Sequence, residues 1–410
     1  MKNFVIIGNG VAAVGCIEGI RSIDKESKIT VISEEKHFVY GRPLISYFLE
    51  IKTDLERMKY RDSDFYEKMG CEVLYGRRAE KIDTDSKRVI LDNGTEVPYT
   101  SFCVAAGSSP FIPPFEGLDS VKKKFTFQTL DDALELEKAI NADSKVLIVG
   151  AGLIGLKCAE GIYGRVESIT VCDLADRILS SIFDADSSEM MKKHIESKGI
   201  KFILGDTVSR FEKNKAIMKS GKEVKFDILV IAVGVRPNTA LVKEIGGEVN
   251  RGIIVNDRME TSLPDIYSAG DCTEGNDITA GEKKVLALLP NAYMQGHAAG
   301  VNMAGGDEVF DKAIPMNSIG FFGLHAMTAG VSDGEVYEEK TDTSLKRLFT
   351  KDDRLVGFIL IGITERAGIY TSLIREKTPL STLNFDLLKK IATTASFAPE
   401  IRRKKFGGVV

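Results

Sequence analysis

An α/β protein with two repeated strand–turn–helix units and a smaller α+β unit behind them is predicted by three observations. Two glycine runs of one design, GNGVAAVG (Gly8–Gly15) and GAGLIG (Gly150–Gly155), stand far apart in the 410 residues. Each follows an apolar run, Phe4–Ile7 and Val146–Val149, and each opens a helix-like stretch. Beyond residue 313 the pattern changes to short alternating segments with turn glycines.

Length allows two or three domains. Apolar residues make up 43% and charged residues 28%, an ordinary globular profile. A formal net charge of -4 gives no reason to expect a nucleic-acid partner. No apolar run approaches the roughly 20 residues that span a bilayer. The apolar N-terminus has no long basic lead and carries glycines at 8, 10 and 15, so it reads as strand, turn and helix rather than a secretory leader. A cytoplasmic location is the expectation. The cysteines, Cys16, Cys71, Cys103, Cys158, Cys172 and Cys272, form no close pair, and there are four histidines. Buried reduced thiols are expected, and no metal site.

In the first run Gly8 makes the sharp turn after the strand. Gly10 lets the backbone approach a pyrophosphate, and Ala13 stands where a small residue permits close helix packing. The helix start offers unpaired N–H groups to phosphate. The next strand, Lys28–Ser33, leads to Glu34, 26 residues after Gly8, placed to accept ribose hydroxyls. Strand, turn, helix, strand and acid together point to a bound dinucleotide.

The second run repeats this with Gly150, Gly152 and a full third glycine, Gly155; Leu153 and Ile154 fill the helix start. The helix is expected through Leu156–Tyr163, and the following strand, Ser168–Asp173, ends 23 residues after Gly150. An acid there suits a free 2′-hydroxyl and repels a 2′-phosphate, favouring NADH over NADPH, although Arg177 stands close by. Two such units imply two dinucleotides and electron transfer between them.

At these residues the chain resembles the FAD- and NAD(P)H-dependent pyridine nucleotide oxidoreductases, along nearly its whole length. Val104–Pro114 resembles the family's close of the FAD domain, with Ala106 and Gly107 at the cofactor. Ala232–Asn238 resembles the close of the NAD domain, with Gly234. Asp265–Cys272 resembles a second FAD fingerprint, in which Gly270 allows close approach and Asp271 binds the ribityl or phosphate region. Tyr40–Leu49 is similar to the flavin-contacting segment of the NADH:rubredoxin and ferredoxin reductase-like branch and of nitrite reductase FAD domains, placing Arg42 and Pro43 against the flavin. Pro290–Gly306 resembles the helix whose start, Asn291 and Ala292, faces the pyrimidine ring and stabilises negative charge there. Ala79 matches an adenine contact.

The resemblance implies a glutathione reductase-like fold with two Rossmann-like three-layer domains: an FAD domain at 1–113 and 247–313, an NAD(H) domain at 114–246, and a C-terminal α+β domain and tail at 314–410. In the last, Asn317–Gly330 reads as strands with turn glycines, Ser344–Gly362 as a hairpin turning at Lys351–Arg354, and Asn384–Thr394 as a short amphipathic helix. The basic tail, Arg402 to Lys405, is a solvated run or a docking surface for an acidic carrier. Monomer and homodimer both suit this architecture.

The implied activity passes hydride from NADH to FAD and then electrons outward. Neither the close cysteine pair of disulfide reductases nor the single redox cysteine of the peroxidase, oxidase and coenzyme A-disulfide reductase branches stands in Tyr40–Tyr47. Electrons are therefore expected to leave the flavin directly, to a small carrier protein such as rubredoxin. The alternatives are a hydrogen-peroxide-forming NADH oxidase and the NADH-input subunit of a larger oxidoreductase. No side chain is assigned as catalytic. Two departures from the family stand out. Lys157 occupies the place of a glutamate beside the nicotinamide, and Tyr47 that of a lysine beside the flavin.

Overall fold

The computed structural model describes residues 2–406. One compact unit comprises the described residues up to Asp176 with Gly199–Asn276 and Lys283–Asp311. The second comprises Arg177–Lys198, Asp277–Glu282 and the described residues from Lys312 onward.

The first unit holds two five-stranded parallel sheets that share the order of four strands and differ in the fifth, which comes last in sequence in one and first in the other. In the first, Asn3–Ile7 lies between Ser101–Val104 and Lys28–Ser33, with Ile266–Ser268 and Cys71–Tyr75 outside them. In the second, Lys145–Val149 lies between Ile228–Ile231 and Ser168–Asp173, with Lys124–Phe125 and Lys201–Leu204 outside. Each central strand is an unbroken apolar run because both faces are covered. Phe4 and Ile6 join one core while Val5 and Ile7 join another, the period-2 alternation of a pleated strand. The order in which strands are added reverses beside each central strand, so each glycine turn opens at a topological switch point.

Helix Val11–Ile23 meets helix Leu289–Ala304 backbone against backbone. A Cβ on Gly15 would stand 2.2 Å from the Tyr293 carbonyl oxygen, and one on Gly19 2.2 Å from that of His297. From the other side, a Cβ on Gly296 would stand 2.0 Å from the Ala12 oxygen, and one on Gly300 2.1 Å from that of Cys16. Four glycines at i, i+4 spacing thus bring the two helix axes as close as their main chains allow.

The second unit is a five-stranded antiparallel sheet, ordered Met316–Phe321, Leu324–Gly330, Arg354–Ile361, Leu345–Lys351, Glu335–Lys340. The expected hairpin turns at Asp352 and Asp353, both with positive φ of 49° and 58°, the pairing a tight two-residue turn requires. Helix Phe385–Lys390 starts on an Asn384 cap and is shorter than the Asn384–Thr394 expected; Thr394–Ser396 forms a separate 3₁₀ turn. Its last carbonyls, Lys389 and Lys390, accept from the buried Lys346 ammonium at 2.9 and 3.1 Å. Helix Ala185–Glu196, which the sequence places with the NAD(H) domain, packs into this unit. Asp184 caps it, and Arg347 donates to Asp184, to Asp186 at 2.8 Å and to Glu338 at 2.5 Å. The basic tail begins in helix Pro399–Phe406, carrying Arg402 and Arg403; the Lys404 and Lys405 side chains and residues 407–410 lie outside the described residues.

Three outcomes follow. Gly300→Leu, whose Cβ would stand 2.1 Å from the Cys16 carbonyl oxygen, should keep folded protein from accumulating, since main chain rather than a side chain must give way. Gly368→Ala, whose Cβ meets nothing within 4 Å, should be neutral or slightly stabilising. Hydrogen bonds and the nearby cations hold the Asp184 and Asp186 carboxyls below 3.8, against burial in the case of Asp184. Their contribution is complete above that value and disappears as pH falls through the lowered ones. Arg347→Leu should therefore lower the thermal midpoint at pH 7, with the gap to wild type closing in strong acid.

Candidate functional site

The two glycine turns superpose in logic, atom by atom. Gly8 has φ 111° and Gly150 φ 117°. A Cβ on Gly8 would lie 2.1 Å from the Ala105 oxygen, and one on Gly150 2.2 Å from that of Ala232. Each turn thus presses on the strand that closes its own sheet. The N–H of Gly8 donates to Ile32 and that of Gly150 to Cys172, both at 2.8 Å. Gly155 packs so tightly that its Cβ would stand 2.0 Å from the Gly150 oxygen, whereas the first unit seats a fully buried Ala13 there.

Other glycines face open space. A Cβ on Gly10, Gly107, Gly152 or Gly234 would meet nothing within 4 Å. Gly107 and Gly234 also have positive φ, 64° and 114°. Each turn is thus a cradle of bare backbone that a side chain would fill. Helices Val11–Ile23, Leu153–Ile162 and Leu289–Ala304 start on Gly10, Gly152 and Leu288, with no side-chain cap and no acid in the first turn. Helix Leu130–Ala139, by contrast, carries a full Thr129–Asp132 capping box. Uncapped N–H groups beside an open cradle suit a pyrophosphate at both turns. Beside Gly10, the Asn9 side-chain nitrogen is buried without a partner among the described residues, while its oxygen accepts from the Tyr66 hydroxyl at 2.5 Å. The residues present therefore fit a dinucleotide at each turn.

The acids after the second strands are not equivalent. Pairing registers place Ser33, not Glu34, opposite the position of Asp173. Glu34 is exposed one residue beyond. Asp173 accepts from the Ala151 N–H at 2.6 Å and the Ala175 N–H at 2.8 Å, so its carboxylate braces the second glycine turn itself. Helix Leu153–Ile162 begins at the turn and ends at Ile162, earlier at both ends than expected. Arg177 falls in the second compact unit.

Around the first turn, Arg42 donates to Glu35 at 2.6 Å and to the Gln128 carbonyl at 3.0 Å. Tyr40 donates to Glu35 at 2.7 Å and accepts from the Leu130 N–H at 2.9 Å. Arg42 heads a 3₁₀ turn with Pro43 exposed at its start. Burial raises the Asp271 carboxyl, partly offset by the positive charge of Arg42. Gly270 (φ 82°) donates to the Gln295 side chain at 2.9 Å, which ties this fingerprint to helix Leu289–Ala304. Asn291 and Ala292 are buried in that helix's first turns. Ala79 is buried at the start of a separate three-stranded sheet. Lys157 pairs with Glu160 at 2.7 Å and sits over the Tyr47 ring at 5.3 Å, so it does not reach freely into solvent.

The two cradles are joined where the chain crosses between sheets. Ser108–Pro110 and Val235–Pro237 pair antiparallel. The Asn238 N–H donates to the Gly107 oxygen and, reciprocally, the Phe111 N–H to the Gly234 oxygen, both at 2.9 Å. The Asn238 side chain also donates to the Ala106 oxygen at 2.8 Å. Sequence reasoning missed the roles of Asn238 and Gln295. Gln295 was findable four residues after Asn291, on the same helical face.

Comparison with known proteins agrees with this geometry. A family model described as pyridine nucleotide-disulphide oxidoreductase matches residues 2–296. Subunit epsilon of the NADH-dependent phenylglyoxylate dehydrogenase of Aromatoleum evansii is 32% identical over 395 residues, covering 93% of each chain. The assimilatory nitrate reductase electron transfer subunit of Bacillus subtilis (strain 168) is 33% identical over 390 residues; these cover 92% of this chain and half of that protein. Among solved structures, the putidaredoxin reductase–putidaredoxin complex aligns with TM-score 0.88 at 22% identity, over 100% of this chain and 99% of that one. The NADH:rubredoxin oxidoreductase of Clostridium acetobutylicum aligns with TM-score 0.74 at 24% identity, over 92% and 96%. At these identities the structural likeness concerns the fold.

Filling one cradle at a time separates the two sites. Gly10→Val should yield folded protein without flavin absorbance. Gly152→Val should keep the flavin and lose NAD(H) binding by calorimetry. Gly8→Val, which collides with the Ala105 carbonyl, should not accumulate as folded protein.

Proposed function

We propose a direction of electron flow for this chain, which belongs to the pyridine nucleotide-disulphide oxidoreductase family and is an FAD- and NAD(H)-dependent oxidoreductase. The Gly8 cradle holds FAD, with Asp271, Arg42 and the start of helix Leu289–Ala304. The Gly150 cradle holds NADH, with Asp173 bracing the turn. On this reading 1–113 and 247–313 form the FAD part and 114–246 the NAD(H) part. Bound FAD would supply hydride uptake from the nicotinamide and release of the electrons singly or in pairs. The chain's own residues bind and orient. Uncapped helix starts take the pyrophosphates, and the Asn238–Gly107 and Phe111–Gly234 bonds keep the two cradles in register.

Electrons then leave to an external protein acceptor, either a small carrier such as rubredoxin or a partner subunit. The observation carrying this reading is the burial of the thiols: Cys16, Cys103, Cys158, Cys172 and Cys272 are buried and Cys71 is partly so. Burial pushes Cys71 and Cys172 up to about 12 and raises Cys103, Cys158 and Cys272 as well. For Cys103 a hydrogen bond with Cys16 contributes most. Such thiols are poor nucleophiles at neutral pH and do not suit a relay. The partner-subunit form draws support from the full-length likeness to a relative that is itself a dehydrogenase subunit.

Anaerobic stopped-flow mixing with NADH should bleach the flavin, and a one-electron carrier protein should then reoxidise it faster than oxygen does. Bleaching with oxygen as the faster acceptor would favour a peroxide-forming oxidase. Absence of bleaching would remove the reading altogether.

A further inference from the structure

Between helix Ile45–Leu49 and helix Leu153–Ile162, one aromatic ring is flanked by charge. Tyr47 belongs to helix Ile45–Leu49, which continues the turn begun by Arg42. Lys157 belongs to the helix that opens at the second cradle. The two helices touch directly: a Cβ on Gly161 would stand 3.1 Å from both the Leu49 Cβ and the Ser46 oxygen. Arg165 donates to the Leu49 carbonyl at 2.6 Å. Lys157 lies five residues beyond Gly152, about 7.5 Å along the helix axis. On the reading of the Gly150 cradle as the NAD(H) site, a nicotinamide extending from a pyrophosphate at Gly152 towards the Arg42 side would lie near this ring.

Two ammonium groups flank it. The Lys157 Nζ stands 5.3 Å and the Lys52 Nζ 6.0 Å from the Tyr47 ring centroid. Each cation has a carboxylate partner, Glu160 for Lys157 and Glu50 for Lys52. The carboxylates are withdrawn into the protein, with side-chain exposures of 8% and 9%, while Tyr47 is 37% exposed. The exposed part of the ring therefore lies beside the positive ends of two ion pairs. Carboxylate partners shorten the reach of those cations without reversing its sign at the ring.

We propose that Lys157 and Lys52, held against Tyr47, make the second site discriminate between the oxidation states of its coenzyme. They favour the uncharged dihydronicotinamide over the nicotinamide cation. The inference rests on reading the Gly150 cradle as the NAD(H) site. A third positive charge at a ring already flanked by two ammoniums is repelled, and the cation–π attraction it would otherwise gain is already engaged. The neutral dihydropyridine meets no such penalty. Hydride donation turns the neutral ring into the cation, so the same charges speed product departure and resist reversal.

Calorimetry on the oxidised holoenzyme tests this, with NAD⁺ and with redox-inert 1,4,5,6-tetrahydro-NAD as the neutral mimic. The mimic should bind about tenfold more tightly. The ratio of the two affinities should fall several-fold in Lys157→Met/Glu160→Gln, which removes an ion pair without stranding a buried charge. It should also fall in Lys52→Met/Glu50→Gln, which likewise leaves no buried carboxylate without its partner. A merely structural role would weaken both ligands alike and leave the ratio unchanged. A wild-type ratio near one, or a ratio unchanged in both variants, overturns the proposal. Failure of both ligands to bind the wild type overturns the NAD(H) reading and the proposal with it.

Discussion

The contact on which the first candidate dinucleotide site depends is the meeting of two main chains. Helix Val11–Ile23 carries the first cradle at its start, and helix Leu289–Ala304 brings in Asn291 and the Gln295 tie to Gly270. They approach so closely that Gly15, Gly19, Gly296 and Gly300 leave no room for a methyl group. Protein interiors are close-packed and transmit strain. A shift of either helix would therefore carry the turn, the fingerprint acid Asp271 and a helix N-terminus out of mutual register. Residues nearly 300 positions apart are held by the absence of side chains.

The second site repeats the first with different reinforcement. A glycine, Gly155, replaces Ala13, and Asp173 ties back to Ala151 where the first unit has Ser33. The repeats then cross-brace each other. Asn238, from the second closing strand, bonds the Gly107 carbonyl, and Phe111, from the first, places its amide N–H on Gly234. Each bond lands on a positive-φ glycine that itself faces open space. The crossing ribbon thus fixes the two surfaces that would contact cofactor.

Much of this was legible in the sequence because it rests on local rules. Apolar runs before Gly8 and Gly150, the period-2 segments beyond residue 313 and the Asp352–Asp353 turn each follow from near-neighbour chemistry. What stayed hidden depends on contacts between distant segments. Glycines 296 and 300 read as ordinary helix residues until helix Val11–Ile23 is laid against them. Glu34 and Asp173 look alike by spacing, yet strand pairing sets them one residue out of register. Helix Ala185–Glu196 joins the second unit through Arg347, an ion-pair clamp with no local signature. The partners of Lys157, Glu160 and Tyr47, likewise come from packing: one is a helical neighbour and the other more than 100 residues away.

The uncapped helix starts carry a consequence for the chain's abundance. The helices that start on Gly10, Gly152 and Leu288 receive no capping hydrogen bond from those residues' side chains, whereas Thr129, Asp184 and Asn384 serve that purpose elsewhere. A dinucleotide seated there completes the folded state's hydrogen bonding and binds the unfolded chain hardly at all. By mass action, free ligand at 100 times its dissociation constant adds about 2.7 kcal/mol to stability. Supply of the dinucleotide thereby becomes a determinant of how much of the chain survives proteolysis, quite apart from how fast it turns over.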